Sequence, residues 1–334
     1  MRVAYLRKVN STQLRDEPLP VAGKNQIVLE VQACAICGTD LHAAAANEEF
    51  LPFGHEIAGR VAEMGEGVET LEIGQNVVLD SATPCGRCAM CRNMRQELCT
   101  DIQSFFYLGS FGMAQYMLAP AISAIPYEGL RPCEATLSEP LGVALDVVRV
   151  ADIEPGCNVL VMGPGPIGLM AVRLARRAGA EKVFVSALSG TTARNRLALE
   201  FGADAVIEVD RQPLADYDFG CRIDRVVSTT PPSTLRSAID VACKGATIAY
   251  IGLAGNSEPE IRFNADEFHF KKLQLRASFA SPALFGPRAL EILKRDVLMR
   301  QKLISHRFSL DEIQKAMETA GGDIANAVKV VVEP

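Results

Sequence analysis

The sequence predicts a two-domain protein: an all-β, barrel-like domain first, then a doubly wound α/β domain on a parallel sheet. Three observations carry this. Through residues 1–80, short runs of strand-forming residues are separated by glycine turns, with no regular helix between them. From about residue 140, short continuous apolar runs alternate with helix-favouring stretches, the pattern of βαβ units whose strands are covered on both faces. The length of 334 residues suits about two domains of ordinary size.

The elements follow in order. Residues 26–33 (QIVLEVQA) alternate apolar and polar, as a half-buried strand does. Residues 59–67 read as a strand running into a glycine turn, and 73–79 as a turn and a further strand. Ala43 to Ala46 form a helix or loop wall. Residues 141–151 are apolar at helical spacing, with Leu141, Leu145 and Val148 on one face. The run 158–162 (NVLVM) is a buried strand, and Ile167 to Ala178 a helix. Strand 183–185, helix 193–201, and strands at 206–207, 225–227 and 247–251 continue the alternation. After residue 280 the pattern is a helix (287–300), a loop, a helix (310–320) and a final strand (327–332) that returns to the first domain. The expected domains are therefore 1–142, 143–280 and 281–334.

A net charge of −6 argues against a nucleic-acid partner, which would favour a basic face. The first ten residues, MRVAYLRKVN, lack the apolar core of a signal peptide. No stretch approaches the roughly 20 apolar residues that span a bilayer. The expectation is a soluble cytoplasmic protein with a small-molecule substrate. In that compartment ten cysteines suggest metal binding before disulfides.

Cys85, Cys88, Cys91 and Cys99 lie within one short loop. Four thiolates at this spacing close a tetrahedral zinc site and leave no open position, so the site is structural. A second C-x-x-C, Cys34 and Cys37, falls at a strand end rather than in a βαβ redox context. Cys133, Cys157, Cys221 and Cys243 have no ligand spacing and read as small buried side chains.

An open metal site is offered by Cys37, His55, Glu56 and Glu139: thiolate, imidazole and carboxylate leave one position for water or substrate. Asp40 is placed to orient the His55 ring. His269 and His306 have no such neighbours and read as structural or surface residues.

Gly163-Pro164-Gly165-Pro166-Ile167-Gly168 is a G-x-G-x-x-G between a strand and a helix, the context a dinucleotide loop requires. Gly163 permits the tight turn, Gly165 the approach of a pyrophosphate, and Gly168 close helix–strand packing. Ala187 stands at the end of the second strand, where an acid would select NAD. The hydroxyl-rich stretch after it, with Arg194 and Arg196, suits a 2′-phosphate, so NADP is favoured. The rival is NAD, with Ser189 or Thr191 on its ribose. Ser228, Thr229, Gly252, Leu253 and Ser278 are further candidate cofactor contacts.

Taken together, CGTDLH at 37–42, GHE at 54–56, the cysteine loop at 85–99, SEPLG at 138–142 and the glycine loop at 163–168 resemble the zinc-containing medium-chain alcohol/polyol dehydrogenase family over essentially the whole chain. The resemblance implies a GroES-like β-barrel catalytic domain, a Rossmann domain and a C-terminal return. It implies Cys37 and His55 as zinc ligands. Glu139 replaces the cysteine found in the simple alcohol dehydrogenases, as in the sorbitol, threonine and glucose dehydrogenase branches. Whether Glu56 or Glu139 is the third ligand stays open. The family relay would run from Thr39 through the cofactor ribose to His42, with zinc lowering the pKa of the substrate hydroxyl. The expected reaction is oxidation of a secondary alcohol on a polyol, sugar or sugar acid. A simple alcohol is the alternative, and a non-catalytic zinc- and NADPH-binding protein a remoter one. A pocket formed by Thr39, Phe53, Phe105, Phe106, Tyr107 and residues 278–280 is expected. So is a dimer or tetramer joined through a sheet-edge strand near 247–265.

Overall fold

The structure, a computed structural model, describes residues 1–8, 11–255 and 258–334. It divides into two compact units. Residues 1–142, 280–323 and 327–334 make the first, and residues 143–279 with 324–326 the second.

The first unit begins with β1 (Arg2–Arg7), β2 (Ser11–Asp16), β3 (Gln26–Ala35), α1 (Gly38–Ala46), β4 (Leu51–Pro52), β5 (Glu56–Met64) and β6 (Asn76–Leu79). Then come the short α2 (Ala89–Arg92), β7 (Tyr116–Pro120), β8 (Ala124–Pro126), α3 (Pro132–Ala135) and α4 (Ser138–Ala151), along which the chain passes into the second unit. That unit holds β9 (Asn158–Met162), α5 (Pro166–Arg177), β10 (Lys182–Ala187), α6 (Thr192–Glu200), β11 (Ala205–Glu208), β12 (Ile223–Ser228), α7 (Leu235–Val241), β13 (Ala242–Tyr250), α8 (Ala265–Phe270) and β14 (Gln274–Ala277). The return to the first unit brings α9 (Gly286–Arg295), α10 (Val297–Leu303), β15 (Ile304–Ser309), α11 (Ile313–Gly322) and β16 (Lys329–Glu333).

In the first unit β3 is central. It pairs antiparallel with β5 on one side, and with β16 and β7 along the other, in a sheet ordered β15-β16-β3-β5-β6-β8. Covered on both edges, β3 buries Ile27, Val28, Leu29 and Val31 together, more than its apolar alternation alone would require. The core beneath it collects Ile57, Val77, Phe105, Met113, Met117 and Val332. The second unit is a six-stranded parallel sheet ordered β11-β10-β9-β12-β13-β14. Its strands carry near-continuous apolar runs because helices cover both faces. Among the described residues no helix is long and apolar enough to cross a membrane.

Three expectations need correction. The helix expected over 287–300 is two helices, broken at Asp296, whose carboxylate caps the second by accepting from the Met299 N–H at 3.1 Å. A helix-competing acid at that position explains the break. The loop expected before residue 310 is strand β15, parallel to β16. Its alternating burial was masked by the polar residues Ser305, His306, Arg307 and Ser309. The sheet edge is not at 247–265 either. Strand β13 is paired on both sides, and the edges are β11 and β14; residues 256 and 257 of that stretch lie outside the described residues.

Candidate active site

The cysteine lobe is built by backbone turns that aim N–H groups at sulfur. Cys85 N–H points to Cys99 Sγ at 3.3 Å, Cys88 N–H to Cys85 Sγ at 3.3 Å, and Asp101 N–H to Cys99 Sγ at 3.4 Å. The four sulfurs lie within 4.8 Å of one another, and Cys88 and Cys99 are 3.9 Å apart. Tetrahedral zinc with bonds of about 2.3 Å spaces its sulfurs by about 3.8 Å, so the donor set fits the ion. The N–H groups of Cys91 and Thr100 pull the Cys88 thiol down to about 5. Lost solvent and the neighbouring sulfurs push Cys91 up to about 12. Such a split is what crowded thiols show until a cation balances them.

The second donor set forms where three strands of the first unit meet. Cys37 follows β3 and caps α1, His55 directly precedes β5, Glu56 opens it, and the ladder pairs Ala35 with Glu56. The ligand atoms of Cys37, His55 and Glu56 lie within 4.8 Å of one another. Asp40, from the first turn of α1, accepts from the Cys37 N–H at 2.9 Å and sits 3.6 Å from His55 Nδ1. Burial opposes a charge on His55, yet Asp40 and the Cys37 sulfur raise its pKa well above the ordinary value. A site with this field favours positive charge, which a divalent ion supplies.

Sequence reasoning missed Lys329. Strand β16 carries it against β3, where its Nζ donates to Glu56 Oε1 at 2.6 Å and to the Ile36 carbonyl at 3.1 Å. Both side chains are buried, 3% and 0% exposed. Burial works against the lysine charge, but Glu56, Cys37 and Glu139 hold its pKa above the usual value. The other carboxylate oxygen, Glu56 Oε2, is buried without a partner among the described residues. A buried carboxylate oxygen without a donor, beside a thiol and an imidazole, is suited to ligating a metal. The signal available in the sequence was a lone lysine inside the apolar run 327–332.

Glu139, in the first turn of α4, stands outside the tight three-residue group but feels it. Burial lifts its carboxyl to about 7; His55 and Lys329 oppose the rise, and Glu56 and Asp80 add to it. Thr39 and His42 share the exposed face of α1 at a spacing of three, while Asp40 is buried between them. Cys34 is fully buried in β3, its thiol pushed well up by burial, and takes no part in the metal group.

Of the aromatic residues expected in a pocket, only Phe106 meets the donor set, edge-on to His55 with centroids 6.1 Å apart. Phe53 and Phe105 belong to the core, and Tyr107 lines a separate groove with Lys24, Arg87 and Gln103. The short 3-10 turn over 105–108 leaves the Phe105 and Phe106 rings edge-on to each other, with centroids 4.8 Å apart, while the Tyr107 ring is exposed. Of the spare cysteines, Cys133 and Cys157 are buried as expected, whereas Cys243 is half-buried and Cys221 is exposed beside the turn into β12.

In the second unit a cavity of about 670 Å³ opens at the carboxyl ends of the strands. Gly163, Pro164, Gly165, Ala187, Leu188, Thr191, Arg194, Thr229 and Thr230 are among its lining. Gly163 takes a left-handed φ of +93°, and Pro166 occupies the first position of α5. A Cβ on Gly168 would lie 1.9 Å from the Gly163 carbonyl oxygen, so this glycine is required for the close approach of helix and strand. Burial draws the Arg194 guanidinium below its usual pKa. Ser189 is not in the lining; its hydroxyl and N–H both donate to Asp210, at 2.6 and 2.8 Å. Ser228 is buried with its hydroxyl 3.1 Å from that of Thr230, and the Ser278 hydroxyl donates to Asp146 at 2.7 Å. Gly252 packs on the Thr230 carbonyl, and Leu253 is 64% exposed.

Comparison with known proteins agrees with this architecture. Residues 23–129 match the alcohol dehydrogenase GroES-like domain and residues 166–294 the zinc-binding dehydrogenase domain, together well over half of the chain. The chain is 28% identical to sorbitol dehydrogenase of Bacillus subtilis strain 168, covering 100% of this chain and 97% of that protein. It is 27% identical to L-galactonate-5-dehydrogenase of Escherichia coli K12, covering 95% and 94%. Among solved structures, a zinc-binding dehydrogenase by designation from Sinorhizobium meliloti 1021, bound to NADP, superposes with a TM-score of 0.88 at 29% identity, covering 100% and 99%. An alcohol dehydrogenase of E. coli CFT073, complexed with NADH, gives 0.90 at 26%, covering 100% and 99%.

The chain belongs to the zinc-containing medium-chain alcohol/polyol dehydrogenase family. It is a zinc-dependent dehydrogenase that works with a nicotinamide cofactor.

Proposed function

We propose that the chain oxidises a secondary hydroxyl of a polyol, sugar or sugar acid to the ketone, reversibly. The observation that carries the metal-dependent reading is Glu56, a buried carboxylate with one oxygen on Lys329 and the other facing no partner among the described residues. The sorbitol and L-galactonate relatives support the substrate class. In this reading Cys37, His55 and Glu56 hold one zinc, Glu139 is the carboxylate that exchanges with Glu56, and the cysteine lobe holds a second ion.

Zinc and nicotinamide, when bound, supply polarisation of the substrate hydroxyl and a hydride acceptor. The proton is handled by side chains. Thr39 accepts it through its own hydroxyl, and His42 hands it on to water. The alcohol loses one hydride from carbon and one proton from oxygen, so the products are ketone, reduced cofactor and a released proton. Thr39→Val should lower kcat by about a hundredfold while metal content stays unchanged. Wild-type turnover in that variant would remove Thr39 from the path.

The cofactor reading is NADP. Ala187 leaves the end of β10 without an acid, and Arg194 lines the cavity while Arg196 does not. Steady-state rates with both cofactors test this, and a strong preference for NAD would refute it. The same assay, run across polyols, sugars, sugar acids and simple alcohols, tests the substrate. A simple alcohol is the second reading, favoured by the Phe106 ring against His55. We also place the enzyme in the cytoplasm as a homo-oligomer. All ten cysteines are free, and the β14 edge, with Phe270 71% exposed nearby, offers a pairing surface. A monomer by light scattering would overturn the assembly.

A further inference from the structure

A short segment from far along the chain reaches into the nucleotide-binding unit. Residues 324–326 belong to that unit, although the residues on either side of them do not. The Ala327 N–H donates to the Asp323 carbonyl at 2.8 Å, which pinches the segment into a loop with Ala325 at its tip. The Ala325 carbonyl accepts twice at the start of α6: from the Ala193 N–H at 2.8 Å and from the Thr192 hydroxyl at 3.0 Å. On the other side, Ile324 Cδ1 is 3.4 Å from where a Cβ on Gly190 would sit.

This contact does for α6 what its own cap does not. The leading N–H groups of a helix have no partner within it. Thr191, at the cap position, turns its hydroxyl away, to the Leu188 carbonyl and to Asn195 Oδ1, each at 2.8 Å. Ala325 therefore supplies an acceptor that would otherwise be missing. The consequence falls on Arg194, which follows Ala193 directly and lines the cofactor cavity. Because α6 is only nine residues long, a shift at its first turn moves Arg194 with it. The turn between β10 and α6 is held independently at Ser189, whose N–H and hydroxyl donate to Asp210.

We propose that the 324–326 loop, acting through Thr192, positions Arg194 and so sets discrimination between cofactors with and without a 2′-phosphate. Thr192 is a positioning residue here: exposed, outside the cavity lining, and effective only through the start of α6. The inference rests on reading Arg194 as the phosphate contact. Its geometric basis is that guanidinium–phosphate recognition depends on a fixed fork and tolerates little displacement.

The test uses the full-length enzyme and four variants: Thr192→Ala, Thr192→Ser, Ile324→Ala and Arg194→Ala. KM and kcat are measured with NADP and with NAD, and thermal unfolding is followed in parallel. Loss of one hydrogen bond predicts that Thr192→Ala raises KM for NADP about threefold to tenfold, with kcat and the KM for NAD within about twofold of wild type. Thr192→Ser restores the parent value, and Ile324→Ala shifts the cofactor ratio in the same direction as Thr192→Ala. Equal effects on both cofactors, or no rescue by serine, would mean that Thr192 merely stabilises the fold and would overturn the proposal. If Arg194→Ala changes the ratio while Thr192→Ala does not, this inference alone fails. If Arg194→Ala leaves the ratio unchanged, the phosphate reading fails and takes this inference with it.

Discussion

Lys329→Met is expected to destabilise the metal-stripped protein by about 3–5 kcal/mol, because it leaves Glu56 charged, buried and without its counter-ion. The pair is buried, bonded at 2.6 Å, and tied to the Ile36 carbonyl as well. Replacing both partners is expected to cost much less than replacing one. Glu56→Gln combined with Lys329→Met removes both charges, so the double-mutant cycle should return a large favourable coupling. Urea unfolding of the two single variants and the double variant gives the answer. A loss below about 1 kcal/mol in Lys329→Met would put the pair in the class of surface ion pairs and remove it from the argument. Zinc content of the same variants is an independent readout, since Glu56 Oε2 is the oxygen left for a metal.

Cys99→Ser is expected to remove one metal ion per chain and leave the other. The lobe has little apolar content to hold it together: Cys91 and Cys99 are buried, while Arg92, Asn93, Met94 and Arg95 between them are exposed. Its cohesion comes from N–H groups converging on sulfur and from the ion those sulfurs share. Structural zinc contributes about 10–16 kcal/mol in isolated zinc-finger peptides, an upper bound for a lobe anchored at both ends in a folded domain. The expected result is a lowered melting temperature and new protease cleavage confined to residues 85–100. Unchanged metal content would refute the lobe as a zinc site. Loss of both ions would mean that the two sites are not independent.

Much of this protein was legible in one dimension because its signals are local. A buried parallel strand announces itself as a short apolar run, and a dinucleotide loop as glycines between that strand and a helix. Asn158–Met162 and Pro166–Arg177 fall within a residue of where the pattern puts them. The cysteine lobe was equally plain, since all four donors lie in a single loop. Strand β15 was not, because polar residues on its outer face hid its alternation. The break at Asp296 was not either, because an acid inside a helical pattern is a weak signal until its carboxylate is seen to cap a new helix.

The sequence by itself determined the two fold types, the donor chemistry and the glycine loop, since each depends on residues close together along the chain. Only the tertiary structure decided which side chains act together. It put Lys329 on Glu56, a residue 273 positions away. It set Phe106 between His55 and the core residue Phe105, and left Tyr107 in another groove. It sent the Ser189 hydroxyl to Asp210 and left Arg194 in the cavity. The physical reason is common to all three. Strand pairing, and the direction a side chain takes from a short turn, are settled by packing against distant segments, and that partner choice leaves no periodic mark in the residues themselves.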